Sequence, residues 1–176
     1  MRKLHGKRND QIVRDLFGQN LSAEEVYAHG AAKEALYRKL MRPHVEEYLV
    51  PGVVPFLERH NDRPLAVASN AEPANVNFLL DEAKLRRFFR AVVNGHEVTH
   101  PKPHPEIYRK VAELLCVSPG ECIVFEDSAA GMEAARQAGA RVVAVQTTDA
   151  PLPPGDFAIR DFNDTGLETW LRRQDS

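Results

Sequence analysis

"IVFEDSAAGMEAARQAGARVVAV", residues Ile123 to Val145, carries two apolar runs joined by a segment of helical spacing. It opens with a short apolar run and reaches two adjacent carboxylates, Glu126 and Asp127. It then continues as a Gly- and Ala-rich segment with helical spacing and closes on a second apolar run, Arg141 to Val145. Short continuous apolar runs read as strands covered on both faces, and a helix joining two of them calls for a parallel pair. Open sheets of this kind bind ligands beyond the carboxyl ends of their strands, which is where Glu126 and Asp127 fall.

The same texture extends outward from Leu65 to the end of the chain. "PLAVASN" reads as a buried strand, "ANVNFLLDEAKL" as a helix and "RAVVNG" as a strand. "PEIYRKVAELL" reads as a helix with Ile107, Val111, Leu114 and Leu115 on its apolar face and Pro105 in its first turn. A weak strand at "FAI" and a helix at "DTGLETWLRR" complete the series. The alternation predicts an α/β fold with a parallel sheet. Residues 1–50 differ: "NDQIVRDLF" sets Ile12, Val13, Leu16 and Phe17 on one helical face behind a possible Asn9 cap. "LSAEEVYAHGAAKEALYRKLM" begins with a capping box, Ser22 and Glu25, and presents Val26, Leu36, Leu40 and Met41. The break at Pro51 and Gly52, before a short helix from Val53 to His60, predicts a helical module over 1–50 and an α/β core over 51–176.

Composition narrows the function classes. The 176 residues are 43% hydrophobic and 27% charged, with 12 prolines, which fits a globular chain with a sizeable core. A net charge of −2 offers no general attraction to nucleic acid or anionic membrane, so neither is expected as a partner. The cysteines, Cys116 and Cys122, read as buried, reduced thiols. The basic start "MRKLHGKRND" leads into no apolar region, and no run approaches the roughly 20 apolar residues of a membrane span. The expected setting is cytoplasmic.

Three groups follow the strands. Ser69 and Asn70 fit either a helix cap or a phosphate-holding helix start. Lys102, in "HPKPHPEIY", lies on a run that its prolines stiffen; it reads as a surface charge or as a point charge for a phosphate. For Glu126 and Asp127 one reading makes Asp127 or Ser128 the next helix's cap. The other has the repelling pair share a hard divalent cation such as Mg²⁺, with Gly131 letting the helix start lie close. The seven histidines show no metal-ligand spacing, since prolines exclude His100 and His104 from one helical face.

"VASN", "KPHPEIY" and "FEDSAAGMEAARQAGARVVAV" together resemble the second, third and fourth motifs of the haloacid dehalogenase superfamily. The helical module with "GKRNDQIVRDLFG" looks like the cap of its β-phosphoglucomutase-like subgroup. The resemblance implies a Rossmann-like parallel sheet with helices on both faces and a small helical cap. It implies Mg²⁺ as cofactor, held by Glu126 and Asp127; a phosphoryl group held by Ser69, Asn70 and Lys102; and catalytic roles for Ser69 and Lys102. Gly6, Lys7 and Arg8 in the cap are the candidate contacts to a small phosphorylated metabolite. The family's first motif, a strand ending in Asp-x-Asp-Gly that supplies the attacking aspartate, occurs nowhere in this sequence. The family places that strand mid-sheet, so the chain reads as a truncated form lacking its central first strand. The function expected of the full-length parent is a Mg²⁺-dependent phosphatase or phosphomutase working through an aspartyl-phosphate. The alternative is an inactive phosphate- or metabolite-binding module. A monomer or weak dimer is expected.

Overall fold

The computed structural model describes residues 9–174, in two compact units that divide between Glu46 and Glu47. In the first unit α1 (Asn9–Phe17) packs on α2 (Ala23–Met41). Ser22 caps α2: its hydroxyl accepts from the Glu25 amide at 3.2 Å while Glu25 accepts from the Ser22 amide at 2.8 Å. Arg14 closes the inter-helix loop by donating to the Gln19 and Leu21 carbonyls, each at 2.9 Å, and the Phe17 ring stacks on His29. Asn9 is itself the first residue of α1 rather than a cap ahead of it. The α2 face expected from spacing is corrected: Val26 is buried with Gly30 and Glu34, while Leu36 and Leu40 are exposed.

The unit boundary falls ahead of Pro51 because Leu49 and Val50 already pack into the core of the second unit, the first with Leu57 and Leu80, the second with Phe56 and Val143. That unit runs α3 (Val53–Arg59), β1 (Leu65–Ala68), α4 (Pro73–Glu82), β2 (Phe89–Val93), α5 (Glu106–Leu114), β3 (Ile123–Glu126), α6 (Ala129–Ala138), β4 (Arg141–Val145), β5 (Phe157–Ile159) and α7 (Thr165–Gln174). Every strand pairing is parallel.

Alternation along the strands sorts the core onto two faces. Val142 and Ala144 of β4, Val124 of β3 and Ala66 and Ala68 of β1 join Ile107, Tyr108 and Val111 of α5 and Met132 and Ala135 of α6. On the opposite face Val143 and Val145 meet Phe56, Leu167 and Leu171, and Leu65 and Val67 meet Leu57, Val76 and Leu80. Helices therefore cover both faces, as a doubly wound sheet requires.

The sheet is interrupted. β1 pairs with β2, and β3 pairs with β4 and then β5, but β1 and β3 do not pair with each other. Both line a cavity of about 540 Å³ that Leu57, Leu80 and Phe125 also border. The two strands stay half-buried where β4 is buried almost throughout. One large apolar cluster spans the gap and keeps both halves on common helices.

The cysteine expectation is also corrected. Cys116 is exposed, in a left-handed turn (φ 57°) after α5, and Cys122 is half-buried with its thiol pushed up by burial and then by Glu121. No helix among the described residues is long and apolar enough to cross a membrane.

Candidate active site

The carboxyl ends of β1 and β3 meet at one cation. Lys102 Nζ donates to the Ala68 carbonyl at the end of β1, at 3.1 Å, and forms an ion pair with Glu126 Oε1 at the end of β3. The side chains are 9% and 7% exposed, so both charges are desolvated and each depends on the other. The Tyr108 hydroxyl donates to the same Oε1, and Lys102 lies over the Tyr108 ring, 4.9 Å from its centroid. Burial, and after it the negative charge of Glu126, raises the Tyr108 pKa far above the ordinary phenol value, so the group stays a donor.

Glu126 is thus committed on both oxygens. Oε2 accepts from the Ser128 hydroxyl at 3.0 Å, and Ser128, as N-cap of α6, accepts from the Gly131 amide at 3.0 Å. The close approach is possible because residue 131 has no side chain: a Cβ there would lie 2.1 Å from Glu126 Cδ. The charge that meets Glu126 in this arrangement is Lys102. Asp127, by contrast, is exposed and makes no hydrogen bond or ion pair among the described residues.

The proline-flanked segment is fastened at both ends. The Lys102 amide donates to Asn70 Oδ1 at 3.1 Å, and Asn70 Nδ2 returns a long bond to the Lys102 carbonyl at 3.4 Å. At the other end Glu106 accepts from the Thr99 amide at 2.7 Å and the His100 amide at 3.0 Å, and the Thr99 amide, followed by the His100 ring and then the His100 amide, holds its carboxyl down to about 2. Pro105 stands at the N-cap of α5, so the helix begins one residue after it.

Ser69 is not a helix cap. α4 has Glu72 at its N-cap, and the Ser69 hydroxyl instead accepts from the Ala71 amide at 3.1 Å in a short turn. That turn packs against the loop after β2, where Gly95 donates to the Ala71 carbonyl at 3.0 Å and a Cβ on Gly95 would lie 2.3 Å from the Asn70 carbonyl oxygen. Asn70 is thereby turned toward Lys102. The structure brings together Asn70, Lys102 and Glu126, places Ser69 beside Asn70 and sets Asp127 at the rim. Gly6, Lys7 and Arg8 lie outside the described residues. Sequence reasoning missed Tyr108, although its position three and four residues before Val111 and Ala112 puts it on the buried stripe of α5.

The fold and the site together define a doubly wound α/β protein with an appended helical unit and a buried cation at the strand ends. Residues 3–139 match the haloacid dehalogenase-like hydrolase family, and the chain belongs to that family. Among curated relatives it is 33% identical to the fructose-1-phosphate phosphatase YqaB of Escherichia coli over 143 residues, 81% of this chain and 75% of that protein. It is 28% identical to a β-phosphoglucomutase of Bacillus subtilis, over 83% of this chain and 67% of that one. A Haemophilus influenzae protein is 32% identical over 70% of this chain, which spans only 60% of that relative's length. A HAD hydrolase of family IA from Entamoeba histolytica shares the fold with a TM-score of 0.83 at 24% identity, over 98% of this chain and 81% of that one. A β-phosphoglucomutase from Clostridium difficile does so with a TM-score of 0.82 at 22% identity, over 97% and 78%.

Proposed function

We propose that the protein is a Mg²⁺-dependent phosphatase or phosphomutase of small phosphorylated metabolites such as sugar phosphates, working through an aspartyl-phosphate in the full-length protein. The observation that carries this reading is Lys102: an almost fully buried ammonium fixed by Glu126 and the Ala68 carbonyl where two parallel strands end. A buried lysine so placed offers a preorganised positive charge to a phosphoryl group, in a setting of low polarity where electrostatic attraction is strong. Ser69 and Asn70 stand on the turn beside it and are the candidate partners of phosphoryl oxygens.

The donor set fits a hard, oxygen-preferring ion in one respect and narrows it in another. Asp127 presents an exposed carboxylate at the rim, whereas the oxygens of Glu126 are taken by Lys102, Tyr108 and Ser128. Mg²⁺ commonly uses one or two carboxylates and keeps waters, so Asp127 is the direct ligand and Glu126 reaches the ion through water. Bound Mg²⁺ would neutralise charge on the transferring phosphoryl group. Glu126 then acts chiefly by holding Lys102 at the site.

In the covalent step proposed for the full-length protein, a carboxylate oxygen bonds to phosphorus as the ester P–O bond breaks and the leaving alcohol takes a proton. Water then cleaves the acyl-phosphate and releases inorganic phosphate, or the group passes to a second hydroxyl in a mutase. Gly6, Lys7 and Arg8 remain the proposed contacts to the far end of the substrate. The named relatives with assigned activities are a phosphatase and a mutase, which favours the catalytic reading over a binding module. The test is phosphate release from a phenyl phosphate by the full-length protein with Mg²⁺. Asp127→Ala should abolish the response to Mg²⁺, and activity indifferent to that change refutes the metal assignment.

A further inference from the structure

Two residues on either side of Lys102 stand His100 and His104, and the prolines that keep them off a common helix face instead fold the segment back on itself. Their rings pack with centroids 4.6 Å apart. Together with Glu106 they place one ligand atom each within 4.8 Å of one another. We propose that His100, His104 and Glu106 form a binding site for a borderline transition-metal ion of the Zn²⁺ class, separate from the Mg²⁺ site assigned to Asp127.

The distances carry the argument. His100 Nδ1 lies 2.9 Å and His104 Nδ1 3.9 Å from Glu106 Oε2. Ligands on a tetrahedral ion with bonds of about 2.1 Å are separated by about 3.4 Å, between those two values, so small side-chain rotations bring the three atoms onto one ion. Two imidazoles and a carboxylate suit Zn²⁺, Co²⁺ or Ni²⁺ and are poorly matched to Mg²⁺, which prefers oxygen alone.

The cost of assembly is small. Pro101, Pro103 and Pro105 alternate with the segment's other residues and restrict its backbone, and Glu106 is already oriented by the Thr99 and His100 amides, to 2.7 and 3.0 Å. What the ion displaces is modest: the 2.9 Å hydrogen bond between His100 Nδ1 and Glu106 Oε2, and the long bond of 3.3 Å from the Glu106 amide to His104 Nδ1. Both imidazoles are solvent-accessible, with side chains 62% and 47% exposed, so an ion reaches them without opening the core. A fourth position faces water. Because the ligands flank Lys102 in the chain, the bound ion ties together the two ends of the loop that carries the buried ammonium.

The experiment titrates the chain with Zn²⁺ by calorimetry in excess Mg²⁺ and follows Co²⁺ substitution by its visible d–d absorption. Saturation at one equivalent with a four-coordinate Co²⁺ spectrum is expected, and His100→Ala and His104→Ala should each weaken binding by at least about tenfold. Since Cys116 is exposed, Cys116→Ser is run in parallel and should leave the affinity unchanged. Absence of saturable binding, binding undiminished in the double histidine variant, or binding lost with Cys116→Ser each overturns the proposal. The histidines are exposed, so unchanged thermal melts of the apo variants confirm that lost binding reports on ligands rather than on folding.

Discussion

Gly131→Ala tests the central geometry because two ordinary rules predict opposite signs for it. In an exposed helix the change stabilises by about 0.5–1 kcal/mol, since alanine restricts the unfolded chain. Here the added Cβ would lie 2.1 Å from Glu126 Cδ and Oε2 and 2.2 Å from Oε1. Carbon contacts relax near 3.5–4.0 Å, so the carboxylate must retreat by more than about 1 Å. It has no free direction: Lys102, Tyr108 and Ser128 hold it, and the residue is 7% exposed. Overpacking of this kind costs about 1–3 kcal/mol, and weakening a buried ion pair adds to it. The expected net effect is a loss of about 2 kcal/mol or more, a fall in Tm of about 4–8 °C for a chain of this size. Urea denaturation followed by circular dichroism measures it. Gly120→Ala is the control: it is exposed, and a Cβ there would meet only the Gly139 carbonyl, at 3.9 Å, so the ordinary rule applies and the change should leave stability unchanged or raise it by up to about 1 kcal/mol. In a Glu126→Ala background the cost of Gly131→Ala should largely vanish, because the atoms it strikes are gone. A stabilised Gly131→Ala protein, or a cost equal in both backgrounds, refutes the reasoning.

Lys102→Met should destabilise by about 3–5 kcal/mol, because Glu126 is left buried without its cation, and adding Glu126→Leu should recover part of that loss in the same urea assay. Asp127→Asn, at an exposed position, should alter stability by less than about 0.5 kcal/mol while removing the calorimetric signal for Mg²⁺. The capping box of α2 should be pH-dependent: the Ser22 amide, then the Ser22 hydroxyl, lower the Glu25 carboxyl below its ordinary 4.5. Its contribution is therefore complete above pH 4.5 and is lost as pH falls through the lower folded value. The stability difference between the protein and Glu25→Gln should be constant from neutrality to about pH 5 and shrink in more acid solution.

Much of this molecule was legible before any coordinate. Apolar runs such as Val142 to Val145 can be buried on both faces only inside a covered sheet, and the carboxylates after Phe125 marked the end of a strand. The Ser22 and Glu25 capping box is local chemistry that needs nothing but its own turn. Periodicity failed where burial depends on which neighbour arrives: Leu36 and Leu40 share the apolar spacing of Val26 yet remain exposed, and Leu114 of α5 is exposed while Tyr108 is buried.

The succession of strands and helices, and the residues that stand at the strand ends, follow from local sequence alone, because backbone propensity, capping and alternation act over a few residues. Packing between distant segments is what turns Glu126 to Lys102 and Tyr108 while Asp127 faces solvent, and what leaves β1 and β3 unpaired across a cavity. The same holds for the meeting of His100 and His104 with Glu106. Adjacent residues on a strand point to opposite sides, so which of two neighbouring carboxylates becomes buried depends on the helix and loop packed against that edge, and their contacting residues, Tyr108 and Lys102, lie 18 and 24 residues away in the chain.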